Sequence, residues 1–230
     1  MFDGHWRTNI EAGLRPIGTG LRRTGLKADH LTALGIAMAI STAVAVGAGH
    51  FRLGLVLLTL TGLCDFLDGA LAKASGITNS RRGAFFDSVT DRLTDALLFG
   101  GVAWYFASNR PGLLVMLPMA LLGAASLVSY QRAKAESLGF DARGGLMERA
   151  ERFIVLGFGF LFFEVLVGVL WVMLALTAVT AVQRFVKVWR QAERPEPLPL
   201  PERRAFVRAH RRRSTRPLSQ TWRERARNRR

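Results

Sequence analysis

Cysteine is all but missing from this chain. Cys64 is the only one and histidine stops at 4, so no Cys or His cluster exists to hold zinc or another ion that prefers soft ligands. Cys64 itself lies in an apolar segment with no catalytic base beside it, which makes it a packing residue and not a nucleophile. Acidic residues are scarce as well, 17 against 32 lysines and arginines, for a formal charge of +15. Residues 2–28 also lack the uninterrupted apolar stretch of a signal peptide, because Arg7, Glu11, Arg15, Arg22, Arg23 and Lys27 break it throughout.

What is present separates along the chain. Half of the 230 residues are hydrophobic, too many for an ordinary basic domain. Apolar runs of spanning length fill the middle, while arginine-rich segments occupy the ends and alternate connections. The pattern predicts an all-α integral membrane protein of about six transmembrane helices, at 30–49, 52–74, 83–107, 112–136, 146–165 and 167–189. Ile10, Leu14, Ile17 and Leu21 recur at helical spacing opposite basic positions, the mark of an amphipathic helix lying at a membrane surface. Three parts are expected: an interfacial helix over 1–28, a six-helix membrane domain over 29–190, and a Pro/Arg-rich, disordered cytoplasmic tail over 191–230. The tail's charge suits anionic lipid headgroups better than nucleic acid, and no nucleic-acid partner is expected.

The connections alternate in charge. Arg81 and Arg82, then Arg132, Lys134, Arg143, Arg149 and Arg152, then Arg184, Lys187 and Arg190 mark one side of the membrane. By the positive-inside rule both termini and the carboxylates described next face the cytoplasm from a multi-pass protein of the cell membrane. Trp104, Tyr105 and Trp189 fall near predicted helix ends, as interface residues do.

The few carboxylates are concentrated where they cost most. Asp65 and Asp68 are three apart and Asp87, Asp91 and Asp95 four apart, giving two acidic stripes on two predicted spanning helices. Each Asp at the centre of such a helix costs roughly 2.5–3.5 kcal/mol, so several together imply groups that face a cavity and are neutralised there. A divalent cation is the simplest neutralising species, and all-oxygen ligands favour Mg, Mn or Ca. Gly69 and Gly83 leave room beside the carboxylates for a bulky phosphate-bearing ligand, and Lys73, Arg81 and Arg82 supply charge for it.

The same segment resembles the signature of the CDP-alcohol phosphotransferases, D-x2-D-G-x2-A-R followed by G-x3-D-x3-D. Here it reads Asp65, Asp68, Gly69, Ala72, Lys73, then Gly83, Asp87 and Asp91, with Lys73 where the family usually has Arg. Lysine keeps the charge and loses the bidentate fork. The resemblance implies an enzyme that transfers a phosphatidyl group from CDP-diacylglycerol and releases CMP, with two Mg2+ ions per site, Mn2+ being the other candidate. It implies Asp65, Asp68 and Asp87 as main metal ligands, and Asp91 both as a ligand of the second ion and as the base that takes the acceptor's proton. Asp29 and Thr32 match the family's short nucleotide-holding segment, although Asp29 suits a helix N-cap equally well. Gly69, Ala72, Lys73, Ser80 and Gly83 complete the expected substrate-binding set, and a homodimer is the assembly typical of the family.

Residues 129–156 carry a second cluster of charge, and Glu148, Arg149, Glu151 and Arg152 open an apolar helix where charge is awkward. Positive side chains facing the carboxylate cavity would bind an anionic acceptor. This stretch is similar to one branch of the family, the actinobacterial phosphatidylinositol phosphate synthases, in its S-Y, A-E and E-R-x-E-R segments. That likeness implies that Arg132 or Lys134, Arg152 and Arg184 hold the phosphate of 1D-myo-inositol 3-phosphate, with Arg149 in the same set. Glycerol 3-phosphate is the nearest alternative acceptor, and free inositol is disfavoured by Arg149 and Arg152. A non-enzymatic cation transporter or channel is the rival from another class. Asp95, one turn beyond the signature, has no expected role except support.

Overall fold

The computed structural model describes residues 28–74, 81–110 and 112–193. The expected N-terminal interfacial helix, Ser80 and most of the Pro/Arg-rich tail lie outside the described residues. Within them the chain is helical, with no strand: α1 is Ala28–Gly47, α2 Phe51–Ala74, α3 Arg81–Asn109, α4 Met116–Ser137, α5 Arg149–Leu161 and α6 Leu166–Ala192. Single 3-10 turns at Leu113–Val115 and Phe163–Val165 lead into α4 and α6.

Two of the helix ends are built alike. Gly49 (φ 85°) and Gly139 (φ 81°) take the left-handed conformation just past α1 and α4. The amides of His50 and Phe140 then donate back to Ala45 O and Ala135 O, satisfying carbonyls that the ending helix leaves open. The first device reverses the chain so tightly that α2 runs back along α1.

Four helical segments are long and apolar enough to cross a membrane: Asp29–Gly47, Phe51–Leu71, Leu113–Ser137 and Phe163–Ala192, with mean hydropathies from 1.6 to 2.5. The remaining two helices differ from these for physical reasons. α3 has the length, at 29 residues, but carries Asp87, Asp91, Arg92 and Asp95 in its first half. α5 has only 13 residues, about 20 Å of helix against a hydrocarbon layer of about 30 Å. Large apolar side chains stand outward on the bundle surface, among them Val44, Val56, Ile154, Trp171 and Val182, as expected where lipid is the solvent.

The apolar core joins Phe51 and Leu58 of α2, Phe99, Val102 and Phe106 of α3, Leu121 of α4, Leu156 and Phe160 of α5, and Leu170 and Met173 of α6. Phe51 meets Tyr105 edge to face at 4.7 Å. This packing occupies the start of α2 and the end of α3. The acidic residues lie toward the opposite ends of the same two helices, where Cys64 and Leu71 are also buried.

Candidate active site

α2 and α3 both pack on α1 and run antiparallel, with Phe51 at the start of α2 against Tyr105 near the end of α3. That brings both halves of the acidic pattern together: Asp65 and Asp68 from α2, Asp87 and Asp91 from α3. Asp65 acts electrostatically on Asp68 and Asp91, and Asp87 acts on Asp65, Asp68 and Asp91. Asp68 is buried and accepts a hydrogen bond of 2.7 Å from Thr32 Oγ1 on α1. Asp87 is exposed.

Arg149, the first residue of α5, sits between the two stripes. Its Nη2 lies 2.7 Å from Asp65 Oδ2 and its Nη1 2.7 Å from Asp91 Oδ1, and the guanidinium stands 5.0 Å over the ring of Phe153. Arg92 approaches the other oxygen of Asp91 at 3.5 Å. Among the described residues no three Asp, Glu, His or Cys side chains converge closely enough to hold an ion as they stand. The donor chemistry nevertheless fits a divalent cation: four carboxylates of the signature act on one another, and the oxygen-only set suits Mg2+ or Mn2+.

The surroundings leave space for a ligand. A Cβ built on Gly69, beside Asp68, would meet nothing within 4 Å. Ala72 and Lys73 fall in the last turn of α2, and Gly83 in the first turn of α3. Asp29 lies inside the first turn of α1, where a negative charge complements the helix dipole, and Arg82 reaches to within 3.8 Å of it.

The expected phosphate-binding cations divide into three kinds. Arg149 holds two signature carboxylates. Arg152 is buried against Asp95 at 2.8 Å, with its Nε left without a partner among the described residues. Arg184, on α6, is also buried and binds Glu148 Oε1 at 2.6 Å, Gly144 O and Val128 O. Arg132 pairs with Glu136 one turn on, and Lys134 is exposed. Arg184 nevertheless acts electrostatically on Arg132 and Arg152, so the three form one positive region.

Sequence reasoning gave no partner to several of these groups. The 138–148 connection is clamped to α6: Thr180 Oγ1 accepts from the amides of Leu146 and Met147, and Lys187 Nζ bonds Asp141 Oδ2 and Arg143 O, each at 2.8 Å. Lys187 and the Arg143 amide hold the exposed Asp141 carboxyl below the usual carboxylate range. The Asp95–Arg152 pair had a signal in the sequence, since an Asp one turn past Asp91 in an apolar helix demands a counter-ion.

A sequence model of the CDP-alcohol phosphatidyltransferase family matches residues 26–185, which contain the four signature carboxylates and Arg149, Arg152 and Arg184. The chain belongs to that family. Within this transferase family of phospholipid biosynthesis it is similar to the phosphatidylinositol phosphate synthase of Streptomyces avermitilis, 36% identical over 206 residues that make up 84% of each chain. Among solved structures it is similar to the Mycobacterium tuberculosis phosphatidylinositol phosphate synthase with CDP-DAG bound, at a TM-score of 0.70 and 31% identity over 80% of this chain and 96% of that one. The same mycobacterial enzyme in complex with manganese and citrate matches at a TM-score of 0.69 and 31% identity, covering 80% of this chain and 91% of that one.

Proposed function

We propose that this membrane transferase moves the phosphatidyl group of CDP-diacylglycerol to 1D-myo-inositol 3-phosphate, forming phosphatidylinositol phosphate and CMP. The observation that carries the reading is that Arg149 joins Asp65 of α2 to Asp91 of α3, with Asp68 and Asp87 acting electrostatically at the same place and the buried Arg152 close by. The mycobacterial relatives with CDP-DAG and with manganese support it.

Asp65, Asp68 and Asp87, with Asp91 shared, would hold two Mg2+ or Mn2+ ions, which neutralise the diphosphate and the charge growing on departing CMP. Thr32 fixes one oxygen of Asp68 and so presents the other. Asp29 and Thr32 hold the nucleotide end, while Gly69, Ala72, Lys73, Ser80 and Gly83 border the diphosphate. The acceptor hydroxyl attacks the phosphorus that carries diacylglycerol, its proton passes to Asp91, and the bond from that phosphorus to the CMP oxygen breaks. Arg132, Lys134, Arg149, Arg152 and Arg184 draw the acceptor's phosphate toward the site, a task that a neutral alcohol would not require. Six crossings with the site on the cytoplasmic side, a homodimer and a lipid-bound tail complete the reading.

The test supplies purified protein, Mg2+ and CDP-diacylglycerol with inositol 3-phosphate, inositol or glycerol 3-phosphate in turn. CMP release with inositol 3-phosphate alone is expected. Release with glycerol 3-phosphate alone would keep the chemistry and replace the acceptor, and release with none would return the carboxylates to an ion pathway.

A further inference from the structure

Arg149 makes a contact that phosphate binding alone does not explain. Its guanidinium spans Asp65 on α2 and Asp91 on α3 with two contacts of 2.7 Å, and it is positioned by the Phe153 ring one turn further along α5. Its side chain is 24% exposed, so the cation is neither a loose surface charge nor a sealed core pair. Three helices meet through this one group. Without it, Asp65 and Asp91 would face each other with Asp87 and Asp68 nearby, a repulsive cluster in a region of low dielectric.

We propose that Arg149 competes with a divalent ion for these carboxylates: it ties Asp65 to Asp91, yields them when the ion binds, and is thereby freed for an anionic acceptor. The inference rests on the reading of these carboxylates as metal ligands. Its mechanism is competition of like charges for the same oxygens. A guanidinium and a divalent ion cannot both occupy the line between Asp65 Oδ2 and Asp91 Oδ1, and the ion brings the greater charge. Arg149 opens the first turn of α5, and the Phe153 ring lies under the flat face of its guanidinium. Released from the carboxylates it joins the positive region of Arg152, Arg184 and Arg132. Metal binding thereby prepares the acceptor subsite, and by linkage the acceptor's phosphate strengthens metal binding by the same factor.

The experiment measures Mn2+ binding to metal-stripped full-length protein in detergent by isothermal titration, without either substrate, for wild type, Arg149→Gln and Arg149→Lys. An opposite charge at contact distance alters a carboxylate's affinity for a competing cation by about 10- to 1,000-fold. Arg149→Gln is therefore expected to bind Mn2+ at least about tenfold more tightly than wild type, and Arg149→Lys, whose point charge serves one carboxylate, is expected to lie between. The metal-free Arg149→Gln protein should melt below wild type, and Mn2+ should close the gap. Equal or weaker Mn2+ binding by the variant overturns the proposal. Should Arg149→Gln fail to fold, wild type against Arg149→Lys decides by the same criterion. The enzymatic reading fails separately: wild-type protein that binds Mn2+ yet releases no CMP contradicts phosphatidyl transfer and leaves the competition standing, whereas wild type that binds no Mn2+ overturns both.

Discussion

Removing one half of the Asp95–Arg152 pair isolates a buried charge, and the size of the effect follows from where the pair lies. The two side chains are 4% and 3% exposed and meet at 2.8 Å. Losing either partner leaves the other without compensation in a water-poor interior, a loss of about 3–5 kcal/mol. The Arg132–Glu136 pair is a useful contrast: at 3.0 Å it is nearly as short, but its side chains are 44% and 47% exposed. Exposed helical pairs one turn apart contribute only about 0.3–0.5 kcal/mol. Urea unfolding in mild detergent should therefore rank Asp95→Ala and Arg152→Ala well below Arg132→Ala. The double variant Asp95→Leu/Arg152→Met replaces the pair with apolar groups of similar size and should regain most of the lost stability. On the proposed reading Arg152 also supplies charge to the acceptor region, so function should not return: KM for inositol 3-phosphate stays raised while KM for CDP-diacylglycerol returns toward normal. Single variants no less stable than Arg132→Ala would refute the burial argument. A double variant with normal acceptor KM would refute the functional half.

Thr32→Val keeps the shape of the side chain and removes the 2.7 Å hydrogen bond to Asp68. An unmade bond to a buried charged group costs about 1–3 kcal/mol, so kcat/KM for CDP-diacylglycerol should fall by roughly tenfold or more. Lys73→Arg restores the fork that the family signature carries, and steady-state kinetics should give a lower KM for CDP-diacylglycerol with kcat little changed. The Asp141 carboxyl is held below its usual range by Lys187 and the Arg143 amide, so its contribution to stability is fully present above about pH 4 and is lost as pH falls through the depressed folded value. Acid unfolding of Asp141→Asn should accordingly lack that part of the wild-type loss, with the two proteins differing by a constant amount near neutral pH.

The helices were legible because each feature that defines them is local. Apolar runs of spanning length and the short breaks at His50 with Arg52 and at Ser108-Asn109-Arg110-Pro111 need no knowledge of the partner helices. The carboxylate pairing across α2 and α3 was also legible, since three- and four-residue spacings fix a helix face and a short connection forces the two helices to lie antiparallel. Charge roles were less so. Arg149, Arg152 and Arg184 look alike in sequence, yet one bridges Asp65 and Asp91, one is buried on Asp95 and one binds Glu148 and two backbone carbonyls. Which carboxylate an arginine meets depends on the rotation of α5 and α6 about their axes, a quantity set by packing over the whole core. The clamp of Asp141 by Lys187 joins residues 46 positions apart and has no local signature at all.

The central claim is that these carboxylates transfer a phosphatidyl group, and it is tested most directly by following the phosphorus. Protein supplied with Mg2+, inositol 3-phosphate and CDP-diacylglycerol labelled at the phosphorus next to diacylglycerol should deliver the label to a new phospholipid and release unlabelled CMP, and Asp91→Asn should abolish both. Label in a water-soluble product, or unchanged transfer by Asp91→Asn, would contradict the account.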